Sequence, residues 1–200
     1  VRRAFLCGQQ GDKNYDYRRK WLEELLLLYE KVFAIDLCAY AIMHNHYHVV
    51  LHVDQDQLRT WTDQDVVKRW HKLFNGHHLS HKWMRHEILN TNEMKQLQEL
   101  IIRWRSRLGS MSWFMRVINE RIARKANQED DCTGHFWEGR FKSQALLDTK
   151  ALLTCMAYVD LNPIRAGIAT TLSRSQFTSI RFRLKNRSQL SLYPFLDNFI

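Results

Sequence analysis

Residues that interrupt regular structure are rare in this chain, which holds only 2 prolines and 7 glycines among 200 residues. The chain also lacks any apolar run of about 18 residues, which excludes a transmembrane helix. No N-terminal signal peptide is visible. The four cysteines have no CxxC spacing, so they predict reduced thiols and exclude a disulfide framework. We therefore expect a cytoplasmic protein without a membrane association.

What the chain does contain is apolar residues and positive charge. The hydrophobic fraction is 45%, with 7 Trp, 7 Tyr and 10 Phe, which is typical of a globular protein with one sizeable core. Thirty Lys and Arg against 21 Asp and Glu give a net charge of +9. Such a balance favours a polyanionic partner, nucleic acid above all, although it can also serve solubility alone.

The stretch "AYAIMHNHYHVVLHV" (39–53) places histidines at alternate positions of an otherwise apolar run. Residues 35–53 show a period of two, which predicts one β-strand with His44, His46, His48 and His52 on a single face. Imidazoles at positions i and i+2 lie about 7 Å apart at Cα and can converge on one cation. The alternative is a half-exposed strand that happens to be rich in histidine.

Helical periodicity recurs on both sides of this strand, and the order of elements predicts an α+β sandwich with a mainly antiparallel sheet. Residues 75–110 are polar and basic and predict an insertion with helical pieces, while the tail 171–200 is predicted to be peripheral. The predicted helices are 16–33 with Asp16 as N-cap, 60–74 with Thr62 or Asp63 as N-cap, 111–127, and 148–162 starting near Asp148.

On the last of these helices, Tyr158 and Asn162 are four residues apart and share a face. Leu152, Met156 and Val159 form an opposite apolar face that should be packed. Pro163 disfavours helical geometry at Asn162, so the helix is expected to end or bend there. Two alternatives stay open: Tyr158 as a rim tyrosine, and Asn162 as the cap of a following short helix, "PIRAG".

Basic and aromatic side chains cluster in the second half of the sequence. Cations with interleaved aromatics suit a groove that binds the nucleic-acid backbone and stacks on bases. Trp137 and Phe141 can instead pack in the core. The candidate nucleic-acid-binding residues are Arg116, Arg121, Arg124, Lys125, Trp137, Arg140, Lys142 and, close to Tyr158, Arg165.

Three segments, "MHNHYHVVLHV", "GHFWEGRFKSQALL" and "AYVDLNPIRAG", together resemble the REP-associated tyrosine transposases. These are bacterial relatives of the single-strand transposases of insertion sequences, in the HUH nuclease superfamily. The resemblance implies a ferredoxin-like fold over residues 1–180, with the histidine strand central, 75–110 as an insertion and 181–200 as a peripheral tail. It also implies a strand upstream of Val1, so we expect the chain to be truncated at its N-terminus.

The resemblance assigns His46 and His48 as the metal-binding pair, Tyr158 as the nucleophile and Asn162 as a third metal ligand. The metal would be Mg²⁺ or Mn²⁺, since imidazole favours the later metals. His44 stands where the family has proline. Tyr47 occupies the middle position of the pair and should face the packed side.

The implied activity is a metal-dependent endonuclease and strand transferase that acts on single-stranded hairpin DNA through a 5′-phosphotyrosine intermediate. The protein would act as a monomer or homodimer. The alternative is a hairpin-binding protein of the same fold that has lost catalysis. A cupin-type oxygenase also uses HxH on a strand. It is disfavoured because only 7 glycines are present and no Glu follows the histidines before Glu87.

Overall fold

The computed structural model describes residues 6–185, which form a mixed α+β structure that is mostly helical. Residues 6–27, 37–52 and 118–185 form one compact unit, and residues 28–36 and 53–117 form a second. No helix in the described range is long and apolar enough to cross a membrane. The strands of the described residues are β1 (Gln9–Gln10), β2 (Lys13–Asn14), β3 (Ile35–Ile42) and β4 (Tyr47–Val53). The helices are α1 (Arg18–Glu30), α2 (Gln55–Thr60), α3 (Asp63–Leu73), α4 (His78–Met84), α5 (Thr91–Leu108), α6 (Met111–Glu129), α7 (Thr149–Arg165) and α8 (Ser179–Lys185), with a 3₁₀ turn at Leu172–Arg174.

The prediction of one strand over 35–53 is wrong, because the chain turns at residues 43–46 and forms a two-stranded sheet from β3 and β4. A four-residue connection makes the two strands antiparallel. Met43 donates its backbone N–H to the carbonyl of His46 at 2.9 Å and closes the turn. Asn45 lies inside it, and asparagine is favoured in turns. His44 and His46 therefore lie in the connection, and only His48 and His52 lie on β4.

His48 and His52 share one side of β4 as predicted, but this side is also partly packed. Val50 shares the side of β4 that carries His48, since alternate residues point the same way. Val50 is buried in one cluster with Met156 and Val159 of α7. The other members of this cluster lie on β3 and α7: Cys38, Ala39, Ala41, Leu152 and Cys155. The predicted packed face of α7 is thus confirmed, and it packs on the side of β4 that carries the histidines.

Helix α7 begins as predicted and ends later than predicted. Asp148 accepts a hydrogen bond from the N–H of Ala151 at 2.7 Å and caps the first turn. The helix continues through Pro163 to Arg165 instead of ending at Asn162. Proline removes one donor from the helix ladder. The carbonyl of Pro163 still accepts from the N–H of Ile168, which closes the C-terminal turn. Arg165 therefore belongs to the same helix as Tyr158.

The segment that follows α7 is not peripheral where it meets β3. Thr178 forms an isolated antiparallel bridge with Ala41. Ser179 is buried and donates to Asp160 of α7 at 2.7 Å, while its hydroxyl oxygen accepts the N–H of Tyr40. Arg183 forms an ion pair with Asp160. Residues 1–5 and the remaining tail, 186–200, lie outside the described residues.

In the second unit, capping boxes define where helices start. Thr62 and Asp65 form one at the start of α3, which confirms Thr62 as the N-cap, although the predicted helix 60–74 begins only at Asp63. Asn90 and Glu93 form another at the start of α5. Residues 75–110 contain α4 and α5, which are the predicted helical pieces.

Candidate active site

His46 and His48 direct their Nε2 atoms at each other, 3.2 Å apart, with their rings perpendicular and 4.9 Å between centroids. His46 is exposed in the turn, and His48 is half-buried at the start of β4. Burial lowers the pKa of His48, and the nearby His46 lowers it further. The lowered pKa favours the neutral form of His48, and its Nε2 atom and that of His46 converge on one point.

Asn45 fixes the tautomer of His46. Its side-chain oxygen lies 2.7 Å from Nδ1 of His46. An amide oxygen only accepts hydrogen bonds, so Nδ1 carries the proton and Nε2 presents a lone pair. Metal-binding histidines are oriented in this way by a partner on the other ring nitrogen. Asn45 was not among the residues predicted from the sequence, although it directly precedes His46.

The donor set of this pair fits a divalent cation. Two nitrogen ligands at about 2.1 Å from one metal ion lie roughly 3.0–3.4 Å apart in octahedral or tetrahedral geometry. The observed separation of 3.2 Å falls in that interval. Among residues 6–185, no group of three His, Cys, Asp or Glu side chains is placed to hold a metal, so further ligands would be amide, water or substrate oxygens.

Tyr158 of α7 lies next to this pair. Its ring is 6.4 Å from that of His48, edge to face, and the side chain is 47% exposed. The guanidinium of Arg165, two turns on, lies 5.0 Å above the phenol ring. The structure thus brings together His46, His48, Tyr158 and Arg165, of which Tyr158 and Arg165 present a nucleophile and a cation to solvent.

Asn162 was predicted as the third metal ligand, and His44 stands two positions before His46. Asn162 is half-buried one turn after Tyr158, with its carbonyl accepting the N–H of Ala166. No contact between its side chain and the histidine pair is recorded in the described part of the chain. The ring of His44 lies against Gly8, where a Cβ would come within 3.2 Å of it. Gly8 has a φ of +103°, which favours glycine, so His44 is packed beside the turn.

Tyr47 and Trp137 support the turn from the other face of β4. The Tyr47 hydroxyl donates to the side-chain oxygen of Asn119 at 2.7 Å, and burial raises the pKa of Tyr47. Trp137 donates from Nε1 to the carbonyl of Asn119 at 2.9 Å, and its ring meets that of Tyr47 at 5.8 Å. The expected packing of Tyr47 is observed. Trp137 therefore packs with Tyr47 and Asn119, which favours the alternative that it is a packing residue.

The predicted basic residues are dispersed. Arg116 lies in the second unit, 4.9 Å over the ring of Trp113. Arg124 pairs with Glu120, and Lys125 lies 3.9 Å over Trp21. The remaining predicted cations are exposed: Arg121, Arg140 and Lys142.

Comparison with known proteins identifies no relative, since no family model, no curated protein and no solved structure matches this chain.

Proposed function

We propose that this protein is a metal-dependent single-stranded DNA endonuclease and strand transferase that acts on hairpin DNA. The observation that supports this most is the convergence of two imidazole Nε2 atoms, 3.2 Å apart, beside the exposed phenol of Tyr158. Imidazoles that hold a cation and a tyrosine that accepts a phosphoryl group are the two parts that a phosphotyrosine mechanism needs. The motifs that resemble the REP-associated tyrosine transposases contain the same three residues.

His46 and His48 would hold Mn²⁺ or Mg²⁺, with the side-chain oxygen of Asn162 as the proposed third ligand. The bound cation would offset the negative charge of the scissile phosphate. Asn45 keeps the proton of His46 on Nδ1, so that Nε2 stays a ligand. Arg165, with five N–H donors beside the phenol, is suited to hold a non-bridging phosphate oxygen.

Tyr158 supplies the nucleophile. Its phenolic oxygen forms a bond to phosphorus, the bond between phosphorus and the 3′ oxygen breaks, and the phenolic proton ends on the released 3′-OH. The DNA is then joined to the protein through its 5′ phosphate. Because a phenolate is a better leaving group than an alkoxide, another 3′-OH can displace the tyrosine and reseal the strand. This reversibility distinguishes strand transfer from simple hydrolysis.

We propose a ferredoxin-like fold, in which the β3–β4 hairpin and α7 on its histidine side form the part of the sheet that carries the site. The partner would be single-stranded or hairpin DNA in a bacterial cytoplasm, bound by a monomer or a homodimer. The net charge of +9 supports a polyanionic partner.

A hairpin-binding protein without catalysis is the second candidate. It is favoured by one observation: the described residues offer two imidazoles to a metal and no third His, Cys, Asp or Glu. One assay distinguishes the two candidate functions: labelled hairpin DNA is incubated with the protein and Mn²⁺, and the products are resolved under denaturing conditions. The nuclease gives a protein–DNA adduct that survives denaturation, whereas the binding protein gives a complex only under native conditions.

A further inference from the structure

The second unit carries an aromatic cluster that ends at the surface. Trp70 and Trp104 are buried, with their rings nearly parallel and 5.3 Å apart. Trp113 packs on Trp70 at 6.0 Å, and Phe74 meets Trp113 edge to face at 6.5 Å. Phe74 is 36% exposed and Trp113 is partly exposed, so the cluster reaches the surface through these two side chains.

Arginines surround the exposed side of this cluster. The guanidinium of Arg107 lies 4.1 Å over the ring of Trp113 and 5.7 Å from that of Trp70. Arg116 lies 4.9 Å over Trp113. Burial lowers the pKa of Arg107, and the nearby positive charges of Arg103 and Arg116 lower it further. Arg103 precedes Arg107 by four residues on α5, so the two side chains share a face of this helix.

No carboxylate compensates this charge at Arg103 or Arg107: within residues 6–185, neither guanidinium has a recorded ion pair or hydrogen bond to an acid. Arg69 of the same unit differs from these two arginines because its guanidinium has partners inside the protein. Its guanidinium lies 3.9 Å over Trp61, and it donates to the carbonyls of Lys31 and Val32. Arg69 uses its donors inside the protein, whereas the N–H groups of Arg103 and Arg107 meet no acceptor in the described part of the chain and are available to an external one.

Flat exposed rings beside uncompensated guanidiniums have a characteristic ligand. Guanidinium forks bind phosphate oxygens in pairs, and aromatic faces accept stacked bases without regard to sequence. A lipid surface would need an extended apolar patch, and this cluster exposes only two rings. An acidic peptide would satisfy the charges and leave the ring faces without a flat partner.

We propose that Arg103, Arg107, Trp113 and Phe74 form a second DNA-binding surface, which takes an unpaired strand without sequence preference. The choice of DNA rests on the proposed function. The surface itself rests on the geometry of the second unit and involves none of His46, His48 and Tyr158.

The test measures binding of fluorescein-labelled dT20 to the full chain by anisotropy, in EDTA, across a salt series. Arg103→Gln/Arg107→Gln should weaken binding by at least about tenfold near 0.1 M salt and reduce the salt slope by about 1.4, or 0.7 per phosphate contact. The matched control, Arg59→Gln/Arg85→Gln, removes the same charge from two exposed arginines that pair with Asp56 and Glu87. Its affinity should stay within about twofold. Equal affinity of the two double variants would overturn the proposal.

A second variant separates stacking from charge. Phe74→Leu should weaken dT20 binding by about fivefold or more and leave the salt slope unchanged, because a base loses the exposed ring on which it stacks and no phosphate contact is removed. An unchanged affinity would overturn the stacking part. If the double variant fails to fold, Arg103→Gln alone decides the question: this side chain is exposed and makes no hydrogen bond or ion pair within residues 6–185, and its loss should weaken binding about fivefold.

Two further measurements identify the class of partner and separate this surface from the proposed nuclease function. A poly-glutamate peptide that displaces dT20 as well as unlabelled DNA does would show an acidic-peptide surface and contradict the proposal. Adduct formation with hairpin DNA and Mn²⁺ is measured in parallel. Wild-type protein that makes no adduct but loses dT20 binding through Arg103→Gln/Arg107→Gln would refute the nuclease and support this surface. If wild-type protein forms the adduct and Arg103→Gln/Arg107→Gln binds dT20 normally, the nuclease is supported and this surface is refuted.

Discussion

Among the three pairs of histidine rings in contact within the described residues, the pair His46–His48 and the pair His71–His81 differ in where their nitrogens point. His46 and His48 meet through Nε2 atoms 3.2 Å apart. His71 and His81 instead stack their ring faces, with 4.5 Å between centroids. Proximity of imidazoles is therefore common to both pairs, and the direction of the lone pairs separates them.

Hydrogen bonds explain the difference. The hydroxyl of Ser80 donates to the carbonyl of His77, so its oxygen accepts from Nε2–H of His71 at 2.9 Å. Nε2 of His81 donates to the carbonyl of Asn75. Both Nε2 atoms of this second pair thus carry protons and cannot bind a metal. In the first pair, Asn45 holds the proton of His46 on Nδ1, so Nε2 of His46 is bare and accepts from Nε2–H of His48. A metal would bind both Nε2 atoms once the proton of His48 moves to Nδ1.

The largest expected effect follows from removing an imidazole of the first pair. His46→Ala and His48→Ala should each lower the yield of the Mn²⁺-dependent DNA adduct by more than about 100-fold, because one of two imidazole ligands is lost. Affinity for the hairpin should stay mostly intact, since basic side chains outside the histidine pair provide it. Gel analysis of the adduct and anisotropy measure the two quantities.

His81→Ala is the matched control, since it removes an exposed imidazole of the second pair and should leave the adduct yield unchanged. His44→Ala should have a milder effect than either ligand variant, because His44 packs beside the turn. A normal adduct yield from His46→Ala, or an equal loss in His44→Ala, would show that the metal-binding pair is wrongly assigned.

A smaller effect is expected from the residue that sets the tautomer. Asn45→Ala should weaken Mn²⁺ binding about 10- to 100-fold, as measured by calorimetry, because His46 is then free to place its proton on Nε2. Asn45→Asp keeps the oxygen acceptor and should restore most of the affinity. Asn75→Ala is the control, since Asn75 contacts His81 through its backbone carbonyl. If Asn45→Asp binds Mn²⁺ as poorly as Asn45→Ala, the acceptor does not set the tautomer.

The sequence predicted the helical part of this architecture better than the strand part. Periodicity and capping residues located α3 at Thr62 and α7 at Asp148 because these signals are local. The 35–53 stretch alternates throughout, so its pattern gave no sign of the turn at 43–46. Alternation persists in both strands of a hairpin. The turn residues themselves, "MHNH", contain neither glycine nor proline.

Four residues of the candidate site were named from the sequence, whereas the contacts that bring them together were not predicted. His46, His48, Tyr158 and Arg165 come together because α7 packs on the histidine side of β4. That packing depends on contacts between residues about a hundred positions apart, which no local pattern encodes. For the same reason the sequence assigned Trp137 to DNA, whereas its indole N–H binds the carbonyl of Asn119 within the protein.

Loss of the Tyr158 hydroxyl should cost little stability. Tyr158→Phe keeps the ring under Arg165 and the helix unchanged, so the free energy of unfolding should change by less than about 1.5 kcal/mol. Urea denaturation measures it, and a larger loss would mean that the phenol has a structural role. Melting of His81→Ala in the same series shows how much an exposed ring contact contributes in the second pair.

The smallest effect concerns pH, and it is shared by the two pairs. Burial lowers the pKa of His71, and the charge of His81 lowers it further. The unfolded chain therefore binds more protons than the folded protein just below the ordinary histidine pKa of about 6.5. The stability that neutral His71 contributes is present above about pH 6.5 and is lost as pH falls below it.

His71→Gln should accordingly flatten the rise in unfolding free energy between about pH 5 and pH 7, as measured by urea titrations at several pH values. Glutamine can keep a donor near Ser80. The burial of His48 lowers its pKa in the same direction, so His48→Gln should flatten the profile as well. A variant whose profile matches the wild type would show that the folded protein does not depress the pKa of that histidine.

The most direct test of the central claim is to locate the covalent bond. Wild-type protein is incubated with labelled hairpin DNA and Mn²⁺, denatured and digested, and the labelled peptide is identified by mass spectrometry. The site predicts DNA on the peptide that contains "CMAYVDLN", attached through Tyr158, and no adduct at all from Tyr158→Phe with hairpin and Mn²⁺ binding retained. DNA attached to Tyr40, Tyr47 or a serine, or an undiminished adduct from Tyr158→Phe, would contradict it.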